Sequence, residues 1–273
     1  MTERLGWDGL PPGLRAGIED LVGAVYDATT VVDGLNCRFA ATVATERHGG
    51  LFLKGVPDGP NDEAAALHRE TLLNPAVTGI GPRLRYDIRT DGWRVLAFDR
   101  IDGRHAGLGP GSRDLDAVRD VLVRMRELRP PAGVAVPPLA ERYAGFLGPG
   151  DAELLAGQTL LHTDTNPHNI LVTEQDRAPR AYVVDWAMAA TGPGWVDAAY
   201  TAVRLMEFDQ PPAAALGWLA TVPSWPAAEP AAVRAFVETV CRHWTAVVGE
   251  QGAQWSNNCY RRLLVSGDAP RRR

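Results

Sequence analysis

The chain has 273 residues, a net charge of −5 and 45% hydrophobic residues, enough apolar material for one large domain or two smaller lobes. Charged residues make up 22% of the chain. Without a basic excess they argue against a general nucleic-acid binder.

The opening MTERLGWDGLPPGL lacks the apolar run of a secretory leader, and no segment approaches the roughly 20 apolar residues of a membrane helix. Cys37, Cys241 and Cys259 are far apart in no metal-type spacing and read as free thiols in a reducing compartment. These features predict a cytoplasmic protein without a nucleic-acid or membrane partner, as a monomer or homodimer. The three arginines at 271–273 read as a polar tail.

The first 30 residues read as a helical lead-in, with Leu14, Ile18, Leu21, Val22 and Val25 at helical spacing. Residues 29–33 form a short β-branched strand, and Gly34, Leu35 and Asn36 a turn. Strands at 39–45 and 51–56 complete an antiparallel meander. A helix over 61–73 follows, with Asn61 as its N-cap and Asp62 and Glu63 in its first turn. Strands at 83–88 and 93–98 flank the turn at Thr90, Asp91 and Gly92. The result is a five-stranded sheet with one helix after its third strand.

The texture changes at 99–104, which is the expected lobe boundary. The first lobe is 1–100 and the second 101–273. Leu115, Val118, Val121, Leu122 and Met125 make a helical stripe capped by Ser112. Further helices are expected at 138–147, 151–157, 195–208, 211–220, 229–248 and 254–265. Among them lie strands at 159–164 and 181–186, with 169–172 between. The fold class is α+β: a small antiparallel sheet lobe and a larger, mainly helical lobe.

The polar residues of that strand cluster carry the chemistry. His162, Asp164 and Asn169 follow one apolar strand in LLHTDTNPHNILV, and Asp185 ends another in AYVVDWAMAATGP. Carboxylates at the ends of buried strands are costly unless a cation pairs with them. Asp185 and Asn169 offer the hard oxygens that Mg²⁺ takes, and Mg²⁺ usually brings phosphate. A Zn²⁺ hydrolase site of His162, His168 and Asp164 is the alternative, but it leaves Asn169 and Asp185 without roles.

H-x-D-x-x-x-x-N followed by an apolar strand ending in D resembles the catalytic segment of the aminoglycoside phosphotransferase and choline kinase group, whose fold is protein-kinase-like and bilobal. The longer form, H-x-D, P-x-N-I-L-V and D-W, is closer to its antibiotic-resistance branch. The resemblance spans roughly 30–210. It implies that Asp164 orients the acceptor hydroxyl and takes its proton, and that Asn169 and Asp185 hold Mg²⁺. His162 and Asp197 would brace the catalytic loop.

Lys54, the only lysine among 28 Lys+Arg, lies on the third strand, where the family carries a lysine to the α- and β-phosphates. Glu70, preferred over Glu63 on the following helix, would pair with it. A compact ammonium suits that place better than a wide, planar guanidinium. No G-x-G-x-x-G follows the first strand, so the amides around Gly34 and Asn36 are expected to cover the phosphates. The base is expected on the connection at Phe98 and Ile101. The cofactors implied are ATP, with GTP open, and Mg²⁺.

The acceptor implied is a small hydroxylated antibiotic-like molecule: an aminoglycoside, nucleoside or peptide antibiotic. Two alternatives stand beside it, a metabolic kinase acting on a sugar, choline or homoserine-like hydroxyl, and an inactive nucleotide-binding module. The second lobe is nearly balanced in charge, so it does not advertise a polycationic acceptor. Trp186, beside the metal aspartate, and Trp225 are the expected pocket aromatics.

Overall fold

In the computed structural model, which describes residues 4–32, 37–175 and 178–264, the first helix is shorter than the lead-in expected. Helix α1 covers Pro12–Val22 and buries Leu14, Ile18 and Val22. Gly23 then takes φ 81°, its N–H closing on Glu19 O at 2.8 Å. A left-handed glycine stops a helix at little cost, so Val25 opens a strand instead of continuing the helix. Strand β1 is Val25–Thr30, earlier than expected.

The chain divides into two compact units, residues 1–103 with 184–187, and residues 104–183 with 188–273. In the first unit, β2 is Phe39–Thr45, β3 Gly49–Pro57, α2 Asp62–Val77, β4 Leu84–Thr90 and β5 Trp93–Asp99. The strands form one antiparallel sheet in the order β1-β2-β3-β5-β4. The helix after β3 thus carries the chain past a sheet position, which β5 fills on its return.

Period-2 alternation gives the sheet two apolar faces. Phe39, Ala41, Val43, Leu51, Leu53, Val95 and Ala97 pack with Leu14, Ile18 and Val22 of α1. Val56, Leu96 and Phe98 pack with Ala64 and Leu67 of α2. Lys54 follows Leu53, so it falls on the α2 face, in register with Ala40 of β2 and Leu96 of β5. Asn61 caps α2, its Oδ1 accepting Ala64 N–H at 2.8 Å.

The second unit contains β6 (Arg104–His105), α3 (Leu115–Met125), α4 (Leu139–Arg142), α5 (Asp151–Leu154), β7 (Thr159–Leu161), β8 (Ile170–Gln175), β9 (Ala178–Val183), β10 (Ala190–Gly192), α6 (Val196–Glu207), α7 (Pro212–Ala220) and α8 (Pro230–Arg262). Strand β7 pairs with β10, and β8 pairs with both β6 and β9. Helix α6 is buried almost all round, as the axis of a helical unit is. Trp195, Tyr200, Phe236 and Tyr260 meet edge to face around it.

Several expectations are corrected here. Ser112 does not cap α3; its hydroxyl donates to Gly107 O while Asp114 precedes the first turn. The helix expected over 138–147 is α4 followed by a 3₁₀ turn, Ala144–Phe146. By contrast, the separation expected between the helices at 229–248 and 254–265 is present, as a break at Gly249, φ 77° and ψ 167°, where Asn257 reaches back to Thr245 and Cys241. Strand β7 stops at Leu161, because the next residues turn into a loop.

Candidate active site

In the first unit, Lys54 projects from the α2 face of β3. Its ammonium is ion-paired with Glu70 of α2 and stands 3.1 Å from Asp185 Oδ1. The Lys54 and Glu70 side chains are each 7% exposed, that of Asp185 29%. Of the two acids on α2, Glu70 faces the sheet, since it shares the helical face of Leu67 and Leu73. Burial works against the ammonium, but Asp185 and then Glu70 outweigh it and hold Lys54 charged, above the ordinary lysine range. Burial pushes the Glu70 carboxyl up, Lys54 pulls it back, and the second carboxylate at Asp185 adds to the rise.

Helix α2 also fixes the segment that carries Asp185. The Trp186 backbone hydrogen-bonds the Glu70 carboxylate, and Arg69 Nη1 donates to Ala187 O at 2.7 Å. Asp185 itself has φ 65°, a left-handed conformation that aspartate tolerates. Sequence reasoning missed Arg69, whose contact is to a main-chain oxygen and leaves no residue pattern. It also missed Cys37, a half-buried thiol within electrostatic reach of Lys54 and raised by burial.

In the second unit, the loop from His162 to Asn169 joins β7 to β8. Asp197, in the first turn of α6, accepts the His162 and Thr163 N–H groups at 2.8 and 2.9 Å. Burial pushes its carboxyl up, and the His162 ring and those two donors hold it back. The Asp164 N–H donates to His162 Nδ1 at 3.2 Å. Asp164 Oδ1 accepts from Asn166 Nδ2 at 2.9 Å, and its Oδ2 accepts from Asn169 Nδ2 at 3.0 Å. Asn169 Nδ2 also reaches Asp164 O at 3.0 Å, so the amide's N–H side is committed to Asp164. Arg204, paired with Glu207, lies within electrostatic reach of Asp164.

The remaining expectations fare unevenly. His162 is wholly buried, whereas His168 is exposed and meets His105 edge to face. The two do not converge with Asp164 on one metal. Trp186 is 2% exposed, which makes it a packing residue rather than a pocket wall. Trp225 is half-buried, edge-on to Trp195 at 5.9 Å between ring centroids. Phe98 lies in β5, in register with Phe52 and Leu84, its ring in the α2-side core. Three main-chain groups of the connection beyond it are spent on fixing it, in Asp99 N–H to Arg83 O, Arg100 N–H to Gly50 O and Gly103 N–H to Ile101 O. Gly34 and Asn36 lie outside the described residues.

The model of the phosphotransferase enzyme family, APH, matches residues 83–231, more than half the chain, and the chain belongs to that family. It is accordingly a small-molecule phosphotransferase. Its fold is similar to an aminoglycoside phosphotransferase from Alicyclobacillus acidocaldarius subsp. acidocaldarius, with 14% identity, 94% of this chain and 95% of that chain covered, and a TM-score of 0.62. It is also similar to a mutant aminoglycoside 2′-phosphotransferase IIIa in complex with GDP, with 16% identity, 93% and 96% covered, and a TM-score of 0.60. A choline/ethanolamine kinase family protein from Mesorhizobium loti shares 14% identity over 89% of each chain, with a TM-score of 0.54. At these identities the likeness is one of fold. Among the described residues, no helix is long and apolar enough to cross a membrane.

Proposed function

We propose that the chain is an ATP-dependent O-phosphotransferase that transfers the γ-phosphoryl group to a hydroxyl of a small antibiotic-like molecule. The observation that carries this reading is the buried Lys54 ammonium, oriented by Glu70 and placed 3.1 Å from Asp185. Ion pairs held out of water by both partners are costly to build. One that ends beside a partly exposed carboxylate is suited to phosphate oxygens and a hard cation.

The donor chemistry of Asp185 and of Asn169, each taken within its own unit, suits such a cation. Asp185 supplies a partly exposed carboxylate, and the Asn169 amide, with its N–H side bound to Asp164, offers its carbonyl oxygen. These two would be the protein ligands, with phosphate and water filling the remaining positions as Mg²⁺ usually requires. When bound, the ion supplies positive charge that neutralises the phosphate oxygens. Lys54 binds the α- and β-phosphates, and Glu70 keeps the ammonium aimed.

Asp164 accepts the hydrogen bond of the acceptor hydroxyl. As the acceptor oxygen bonds to the γ-phosphorus and the bond to the bridging β–γ oxygen breaks, the hydroxyl proton passes to an Asp164 oxygen and nucleoside diphosphate departs. Asn166 and Asn169 fix the carboxylate's rotation. His162 and Asp197 fix the loop beneath it.

Support for an antibiotic-like acceptor comes from the form of the H-x-D, P-x-N-I-L-V and D-W motif. The test is release of nucleoside diphosphate from ATP or GTP with Mg²⁺, across a panel of aminoglycosides, nucleosides, peptide antibiotics, sugars, choline and homoserine. Turnover on an antibiotic is the expected result. Turnover confined to simple metabolites would assign a metabolic kinase, and nucleotide binding without any turnover would assign an inactive module.

A further inference from the structure

Thr163, between His162 and Asp164, has φ 67°. For a β-branched residue this is an outlier that persists only when its surroundings over-determine it. Asp197 Oδ1 accepts the Thr163 N–H at 2.9 Å, and the Thr163 hydroxyl donates to Met188 O at 2.8 Å. Arg142 Nη1 donates to the Thr163 hydroxyl oxygen and, at 3.2 Å, to Met188 O. The donors and acceptors balance. Thr163 Oγ1 spends its one hydrogen on Met188 and accepts from the guanidinium, and Met188 O accepts from both.

Arg142 reaches this triangle from a fixed base. It is the last residue of α4, whose Leu139 is fully buried. The chain ahead of α4 is tied to β10 by a Pro138–Thr191 bridge and by Thr191 N–H to Pro137 O at 2.9 Å. The guanidinium also lies 5.9 Å from the centre of the Tyr143 ring. Tyr143 is in turn bonded through its hydroxyl to Tyr200 of α6.

We infer that Arg142 is a positioning residue for the phosphotransfer reaction: by holding the Thr163 hydroxyl and Met188 O together, it keeps Thr163 left-handed and so aims the Asp164 carboxylate. The inference rests on the proposed role of Asp164. Asp197 alone does not suffice, because it holds only the main-chain N–H groups of the turn. Without the guanidinium the Thr163 side chain keeps only its single bond to Met188 O, and neither partner of that bond is braced by Arg142.

The test compares wild type, Arg142→Gln, Thr163→Gly and the double variant. Glycine takes positive φ readily, so in the Thr163→Gly background the guanidinium has little left to hold. With the acceptor found in the panel, Arg142→Gln should lower kcat by about ten- to a hundredfold with KM for nucleotide within twofold. The same substitution should cost at most about threefold when Thr163 is already glycine, a non-additive pair. Guanidinium ion at low millimolar concentration should restore part of the Arg142→Gln rate.

A readout independent of turnover is amide hydrogen exchange. In Arg142→Gln, exchange at Thr163 and Asp164 should rise at least tenfold while β8 and α6 keep wild-type protection. Wild-type kcat with unchanged exchange at 163 and 164 would overturn the inference. So would additive losses in the double variant, or a loss of protection spread evenly over the second unit, which would make Arg142 a general stability residue. If the wild type transfers no phosphate at all, the functional reading fails, while the exchange measurement still decides whether Arg142 holds the turn.

Discussion

Replacing Lys54 by Met keeps an apolar stem of similar length and deletes the ammonium. Glu70, with a side chain 7% exposed, would be left buried without its cation. Asp185 at 29% would recover much of its hydration, so most of the cost falls on Glu70. Breaking a buried pair from one side costs about 3–5 kcal/mol. At about 2–4 °C per kcal/mol for a chain of this size, Tm should fall by about 6–20 °C at pH 7.

The sign of the pH dependence is fixed. Glu70 is already raised by burial, and without Lys54 it rises further, so the folded variant takes up a proton before the unfolded chain does. Its deficit should therefore shrink as pH falls from 7 toward the ordinary glutamate range near about 4.3. Substituting Glu70→Leu as well should recover most of the loss, because no buried charge is then left alone. Scanning calorimetry from pH 7 to 5 reads all three effects. A loss under about 2 °C, or a deficit that grows on acidification, would refute the picture of a desolvated, charged pair.

Three further predictions follow from single residues. Burial lowers the His243 pKa, so its stabilising contribution is complete above the ordinary histidine range and is lost as pH drops below about 6.5. His243→Phe keeps the edge contacts to Tyr143 and Phe146 and should flatten Tm against pH between 7 and 5. Gly157→Ala would put a Cβ 2.2 Å from the Gly192 carbonyl and should cost at least about 3 kcal/mol in urea unfolding; a near-neutral result would mean that the approach of 157 to β10 is looser than described. Burial raises all three thiols, Cys259 to about 11. At pH 8 a disulfide reagent should therefore titrate only half-buried Cys37 in the folded protein, slowly, and Cys241 and Cys259 only after denaturation.

Much of the candidate site is legible in the sequence because its chemistry restricts residue type. A single lysine in an arginine-rich chain marks β3, and strand alternation puts it on the α2 face. Three-residue spacing from Leu67 and Leu73 then singles out Glu70. The spacing of Asp164, Asn169 and Asp185 marks the loop and the segment beyond β9.

What escaped notice acts through the main chain. Arg69 and Arg142 recognise the carbonyls of 187 and 188, and any of the other Lys or Arg side chains of the chain's 28 looks equally able to do so. The left-handed φ of Thr163 and Asp185 has no glycine to announce it. Trp186 looked like a pocket wall because its place beside Asp185 is visible in sequence, while its burial is not. The unbroken apolar pattern from Leu14 to Val25 hid the end of α1, which one left-handed glycine decides.

The central claim is that Asp164 takes the acceptor proton while Lys54 and Asp185 serve the nucleotide. The direct measurement is a pair of assays on the wild type, Asp164→Asn and Lys54→Met: calorimetric binding of nucleoside triphosphate with Mg²⁺, and phosphate transfer to the acceptor. Asp164→Asn should bind nucleotide within about threefold of the wild type and lose at least about 10³-fold in kcat, whereas Lys54→Met should lose nucleotide affinity itself. Transfer at the wild-type rate by Asp164→Asn, or undiminished nucleotide binding by a folded Lys54→Met, would contradict the account.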